Sequence, residues 1–162
     1  MDKEEKEMSE ELFNTLSIVL AEQGQVSPIY FIIKDKMMNP VAGYPGIAIE
    51  HLASVTVNMA HEVEADAVVI VCEQWMVEMK KGSKEAQDYL DGTKKPSESP
   101  DAKAYLTLTY MSKTGEANSL IGKIRKSPNG VNFIRDSKWI SETTTNMITP
   151  WAMIDGNNVS KI

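Results

Sequence analysis

Two long segments of the chain carry apolar residues at the three- and four-residue spacing of an amphipathic helix. The first begins at Ser9, after a frayed acidic lead-in over residues 1–8, and ends at Gly24. Its apolar stripe is formed by Met8, Leu12, Leu16 and Val19. The second spans residues 47–64, with a stripe at Leu52, Val55, Met59 and Val63. Ser83 and Gly92 favour a third, shorter helix over residues 83–91.

Short apolar runs and a period of two predict the strands. Residues 29–33 form an apolar, β-branched and aromatic run, whereas residues 36–46 are so rich in Met, Pro and Gly that we predict a loop. Residues 67–72 are all apolar, which is typical of a central strand covered on both faces, and the strand is expected to continue to residue 77. Alternation then predicts a hairpin over residues 104–125, followed by strand at residues 131–134 and 138–140.

The order α-β-α-β-α-β-β-β predicts an α+β fold. We expect a single domain over residues 1–140, with a mixed sheet of about five strands, two longer helices and one short helix. The first two strands each precede a helix, so we predict that they are a parallel pair, and that the later strands form an antiparallel meander. Residues 141–162 are poor in apolar side chains, and we expect an arm that lies on the domain or docks onto a partner.

Composition narrows the class of protein. The 162 residues are 42% hydrophobic, which is enough for one domain of ordinary size. One Cys excludes an intramolecular disulfide and a multi-Cys zinc site. His51 and His61 are separated by about 15 Å on a straight helix, so they cannot chelate one ion, and we expect no metal and no cofactor. No apolar run approaches the ~20 residues of a membrane span and the N-terminus does not resemble a signal peptide, so we expect a soluble, cytoplasmic protein.

Charge is distributed unevenly along the chain. The net charge is −6, yet residues 1–102 hold 19 acids and 9 bases, whereas residues 103–162 hold 4 acids and 8 bases. A pI near 5.0 makes nucleic acid an unexpected partner. The later strands still permit a basic face, with Lys123 and Arg125 on one side of the hairpin and Tyr105 and Trp139 interleaved. The simpler interpretation is a solvated face whose lysines discourage another chain from pairing with the edge of the sheet.

Three carboxylates follow or precede predicted strands. Glu73 and Trp75 come after the apolar strand and share one face, because strand side chains alternate. Glu98 and Asp101 lie in the polar loop that returns to the sheet. If this loop folds over the end of the strand, the carboxylates converge, and such groups can divide acid and base roles or bind a hard cation. The alternative is that Asp101 or Ser97 caps a turn and that Glu73 accepts hydrogen bonds from backbone amides of this loop.

Tyr44 lies in a Gly-Tyr-Pro-Gly sequence that connects the first strand to the second helix. Crevices in α/β sheets form at the carboxyl ends of strands, so this aromatic side chain is a candidate for the wall of a ligand pocket. A turn that delivers Pro45 to the first turn of the helix is the simpler interpretation.

One pair of short motifs resembles a known group of proteins. Glu73-Gln74-Trp75 follows an apolar strand, and the sequence Pro-Ser-Glu-Ser-Pro-Asp at residues 96–101 precedes the next strand. This Glu-x-Trp … Pro-Ser-Glu-x-Pro-Asp pattern, within residues 66–125, resembles small uncharacterised proteins of bacteria and their phages. Members often have Arg after the Pro-Asp pair, where this chain has Ala102 and Lys103. The resemblance implies a compact α+β fold and a phage-accessory setting, and no activity.

These observations support two classes of function. The first is a non-enzymatic interaction protein of a phage or mobile element that acts on a host protein, and an exposed apolar patch around Trp139, Trp151 and the arm would support it. The second is a small enzyme or ligand-binding protein that uses the carboxylates and Trp75 in a cleft. We favour the first class, and we expect self-association because an arm and an edge strand both invite pairing.

Overall fold

The computed structural model describes residues 1–42, 48–77, 82–91, 93–95 and 98–141. Its helices are α1 (Lys3–Gln23), α2 (Ile49–Glu62) and the short α3 (Lys84–Leu90). Its strands are β1 (Ile29–Lys34), β2 (Met37–Val41), β3 (Ala67–Met76), β4 (Lys103–Ser112), β5 (Ala117–Lys126) and β6 (Asn132–Ser141). The fold is therefore α+β, as predicted. The expected arm, beyond residue 141, lies outside the described residues.

One open sheet holds six strands in the order β2-β1-β3-β4-β5-β6. All neighbouring strands are antiparallel. The prediction of a mixed sheet of about five strands with a parallel first pair is therefore wrong. No helix follows β1 directly, because β2 lies between β1 and α2. The chain therefore reverses its direction once more than predicted, and β3 runs antiparallel to β1.

The strand that the sequence did not predict is β2. A two-residue turn joins it to β1, and both turn residues have positive φ, 49° at Asp35 and 62° at Lys36. This turn twists in the sense that hairpins favour, although it contains no glycine. The backbone N of Asp35 donates to Asp66 Oδ2 at 3.0 Å. Pro40 is tolerated because β2 is an edge strand, where a missing N–H need not break the ladder.

Helix α1 begins earlier than its apolar stripe indicated. Asp2 is its N-cap, and Oδ1 of that side chain accepts a hydrogen bond from the backbone N of Glu5 at 2.8 Å. Residues 3–8 are therefore helical, and the prediction of a frayed lead-in is wrong. The predicted end is confirmed: Gly24 has φ 81° and its N–H donates to the Leu20 carbonyl at 2.8 Å.

The two longer helices pack on opposite faces of the sheet. We call the buried set under α1 the α1 layer: Phe13, Leu16, Leu20, Val26, Phe31, Ile33, Ala67, Val69, Val71, Leu106, Leu108, Tyr110 and Leu120. The α2 layer is Tyr30, Ile32, Val41, Leu52, Ala53, Val57, Ala60, Ala65, Val68, Ile70, Cys72 and Met111. Residues 67–72 of β3 are buried on both faces, as predicted.

The predicted antiparallel meander is confirmed in β4, β5 and β6. The two strand segments predicted after residue 130 are one strand, β6, with an irregularity opposite Gly122 and Ile124. A Cβ at Gly122 would lie 2.5 Å from Ile134 Cγ2 and 3.1 Å from Phe13 Cζ, so α1 and the irregular strand approach the sheet closely here. No helix in the described part of the chain is long and apolar enough to cross a membrane.

Candidate functional site

Glu73 and Trp75 lie on the α1 side of β3, on one face, as alternation predicted. Their cross-strand partners are Leu106, a member of the α1 layer, and Ala104. Glu73 Oε2 accepts a hydrogen bond from the backbone N of Val26 at 3.1 Å, so this carboxylate connects the segment after α1 to β3. Trp75 is 56% exposed. The pair therefore combines a structural carboxylate with an indole that presents most of its surface to solvent.

Glu98 and Asp101 line a surface groove of about 360 Å³, together with Glu85, Lys94 and Lys95. All five of these residues are exposed. The Ser99 hydroxyl, which also lines the groove, accepts a hydrogen bond from the backbone N of Asp101 at 3.2 Å. The loop thus uses a serine to make its turn, and its carboxylates remain in a solvated setting of mixed charge.

The three predicted carboxylates have different surroundings. Glu73 does not line the groove that contains Glu98 and Asp101, and it is already engaged by a backbone amide. In the described ranges, no group of three His, Cys, Asp or Glu side chains could hold a metal ion. Glu73 therefore accepts a hydrogen bond from a backbone amide, but this amide lies in the segment after α1 and not in the loop that returns to the sheet.

A buried polar cluster, which the sequence did not indicate, lies at the N-terminal end of α1. The hydroxyl of Tyr110 donates to Glu5 Oε2, and both residues are buried. Burial, and then the hydrogen bond to Glu5, raise the pKa of Tyr110 well above its ordinary value. A second, exposed contact lies near this buried pair: the amine of Met1 donates to both carboxylate oxygens of Glu116 at 2.6 Å, and this contact lowers the pKa of Glu116.

The tryptophan expected in an exposed apolar patch packs elsewhere. Trp139 is half-buried against the α1 layer, and its Nε1 donates to Glu10 Oε1 at 2.8 Å. Trp151 and Tyr44 lie outside the described residues. Within the described ranges, Trp75 is therefore the candidate residue that presents a large exposed aromatic surface.

The basic residues of the later strands divide between the two faces. Lys123 lies opposite Tyr105, and Arg125 lies opposite Phe133, on the face away from α1. Lys126 lies opposite Asn132, whose side chain donates to the carbonyl of Gly24 at the end of α1. The alternation of side chains on β5 was predictable from the sequence. The position of Phe133 on this face was not, because the irregularity in β6 changes which side chains share a face.

Comparison with models of known protein families, with curated protein sequences and with solved structures finds no match to this chain.

Proposed function

We propose that this protein is a non-enzymatic interaction protein, and that Trp75 anchors its partner. The resemblance of the Glu-x-Trp and Pro-Ser-Glu-x-Pro-Asp segments supports a phage or mobile-element accessory protein that acts on a host protein in the cytoplasm. The observation that carries the proposal is the exposure of Trp75 on a regular strand of the sheet.

The position of Trp75 matters as much as its exposure. Its backbone is held in the long pairing of β3 with β4, where it lies opposite Ala104. A small cross-strand neighbour leaves the indole uncovered on that side. Glu73, two residues earlier, bonds to Val26 just after α1 ends, so Trp75 lies past the region that α1 and its following segment cover. A rigidly mounted aromatic side chain loses little conformational entropy on binding, and Trp is enriched among residues that dominate interfaces.

The groove with Glu98 and Asp101 gives weaker support to a ligand-binding function. The groove contains two of the three predicted carboxylates. The third, Glu73, lies outside the groove and bonds to the backbone N of Val26. Lys94 Nζ lies 3.7 Å from Asp88 Oδ2, so part of the charge at the groove is already balanced. We therefore base the proposal on the tryptophan.

A photo-crosslinking amino acid placed at position 77, two residues after an intact Trp75, tests the proposal in cells that produce the protein. The matched control is position 18, because Ile18 is exposed, at 60%, but lies on α1. We expect a discrete adduct from position 77 that is absent or much weaker from position 18. The Trp75→Ala variant with the crosslinker at the same position 77 should give less of this adduct while it keeps the same melting temperature.

The mass of the adduct separates the possible partners. An adduct of twice the subunit mass would identify self-association, and a different mass would identify a second protein. Equal labelling from positions 77 and 18, none from either, or an adduct that Trp75→Ala leaves unchanged would show that Trp75 does not anchor a partner.

A further inference from the structure

On the face of β4, β5 and β6 that points away from α1, every charged residue that the register assigns is a base. Leu106 and Leu108 point into the α1 layer, so the odd-numbered residues of β4 lie on the opposite face. Register then places the following charged residues on that face: Lys103 from β4, Lys123 and Arg125 from β5, and Lys138 from β6. Among the described strand residues with a register partner, no acid lies on this face. Arg135 and Asp136 occupy the irregular part of β6 and are assigned to neither face.

These bases lie close together across the strands. Lys123 and Arg125 are alternate residues on one strand, about 7 Å apart along it. Lys138 lies opposite Ile121, one alternate position before Lys123. Lys103, Arg125 and Lys138 are exposed. Within the described part of the chain, Lys103, Lys123 and Arg125 form no ion pair.

Protection of a sheet edge explains only a part of this pattern. Lysines on an edge strand discourage pairing with another chain, and Lys138 lies on β6, which ends the sheet. Lys103, Lys123 and Arg125 lie on β4 and β5, which have strand neighbours on both sides. An ordinary solvated face carries both signs of charge. Three unneutralised bases on interior strands therefore require another reason.

We infer that this basic face, formed by Lys103, Lys123, Arg125 and Lys138, binds an acidic segment of a partner protein. Charge complementarity selects such a partner and sets its orientation. One observation favours a protein over single-stranded nucleic acid. Base stacking needs accessible aromatic rings, but Tyr105 is only 8% exposed, which leaves Phe133 on this face.

This inference deepens the proposed function, because it rests on the protein having a protein partner and names the chemistry of that partner. The basic face and Trp75 lie on opposite sides of the sheet. Reversing charges on the basic face therefore leaves the surroundings of Trp75 unchanged. Failure of one test does not decide the other, so the two proposals can be separated.

The test uses a fluorescein-labelled peptide of ten glutamates, with fluorescence anisotropy at several salt concentrations. The test variant is K123E/R125E, and the matched control is K6E/K126E, which changes the net charge equally. Lys126 is next to Arg125 on β5 but points to the α1 side, and Lys6 is exposed on α1. We expect the test variant to lose roughly tenfold or more in affinity and the control to change by less than about twofold. Affinity should fall as salt rises.

A thymidine decamer with the same label serves as the competing ligand. Equal losses in the two variants would show that only net charge matters, and the basic face would then have no binding role. Absence of peptide binding at low salt would also contradict the inference. Tighter binding of the decamer, lost in K123E/R125E and kept in K6E/K126E, would assign the face to nucleic acid instead. Urea unfolding of all variants confirms that they are folded.

Discussion

The α1 and α2 layers cover the same sheet by different means. The α1 layer draws residues from α1, β1, β3, β4 and β5, and the hydroxyl of its Tyr110 donates to the buried Glu5 of α1. The α2 layer is centred on β1 and β3, and the buried Thr56 hydroxyl beside it donates to the carbonyl of Leu52 in the same helix. Helix α1 therefore joins distant parts of the chain through apolar and polar contacts. Helix α2 covers only part of its face of the sheet, and charged residues lie on the rest of that face.

The largest effect should come from removing an aromatic ring from the α1 layer. Phe13→Ala leaves a cavity under α1, and we expect a loss of about 3–5 kcal/mol in the free energy of unfolding. Val57→Ala, at an equally buried position of the α2 layer, removes fewer atoms and should cost about 2 kcal/mol. Urea unfolding measures both. A larger loss at Val57 would contradict this order.

The buried Glu5–Tyr110 pair should add an alkaline pH dependence to the free energy of unfolding. Tyr110→Phe leaves the Glu5 carboxylate buried without its donor, so we expect a loss of about 1.5–3 kcal/mol at neutral pH. Because the pKa of Tyr110 is raised in the folded state, the unfolded chain loses this proton first, near its ordinary value of 10.0. The contribution of Tyr110 to the free energy of unfolding is therefore complete below pH 10, and above pH 10 it declines by about 1.4 kcal/mol per pH unit.

The difference between the wild type and Tyr110→Phe isolates this contribution, because the other tyrosines and the lysines titrate in both proteins. The free-energy difference should be constant from pH 7 to 9 and should shrink above pH 10. A difference that stays constant to pH 11 would show that burial does not hold the Tyr110 proton in the folded state.

The close approach at Gly122 tests how tightly the α1 layer is packed. Gly122→Ala places a methyl group against Ile134 and Phe13, and we expect a loss of about 1–3 kcal/mol. Ile134→Ala removes the nearest atom, so the double variant should be more stable than the sum of the two single losses predicts. Additive losses in thermal unfolding would show that the neighbours already move aside.

The smallest effect concerns Glu73. Gln keeps an acceptor for the backbone N of Val26, so Glu73→Gln should change stability by less than about 0.5 kcal/mol, whereas Glu73→Ala should cost about 1 kcal/mol. Thermal melts resolve the order of the two variants. A glutamine variant as unstable as the alanine variant would show that the charge, rather than the acceptor, is required at this position.

The elements that follow from local pattern were the predictable ones. The end of α1 at Gly24, the doubly buried β3 and the hairpin of β4 and β5 each rest on a local signal. β2 was missed because its turn uses Asp35 and Lys36 in place of glycine, and because Pro40 suits an edge strand that only the whole sheet defines.

The same limit applies to the candidate site. Alternation alone predicted that Glu73 and Trp75 share a face. It could not show that Val26 engages Glu73, because that contact joins residues 47 positions apart. No local pattern in the sequence predicted the hydrogen bond between Glu5 and Tyr110, because these residues are 105 positions apart. Lys103 could be assigned to the basic face only after the pairing of the strands was known, because the register decides which side chains share a face.

The contact between Trp139 and Glu10 has a consequence for biosynthesis. These residues are 129 positions apart, so the part of α1 that Trp139 contacts is made long before β6 exists to cover it. At a translation rate of roughly 5–20 residues per second, that interval lasts about 6–26 s. Throughout it, this part of α1 presents its surface to the factors that bind nascent chains, and the synthesis of β6 removes that surface from them.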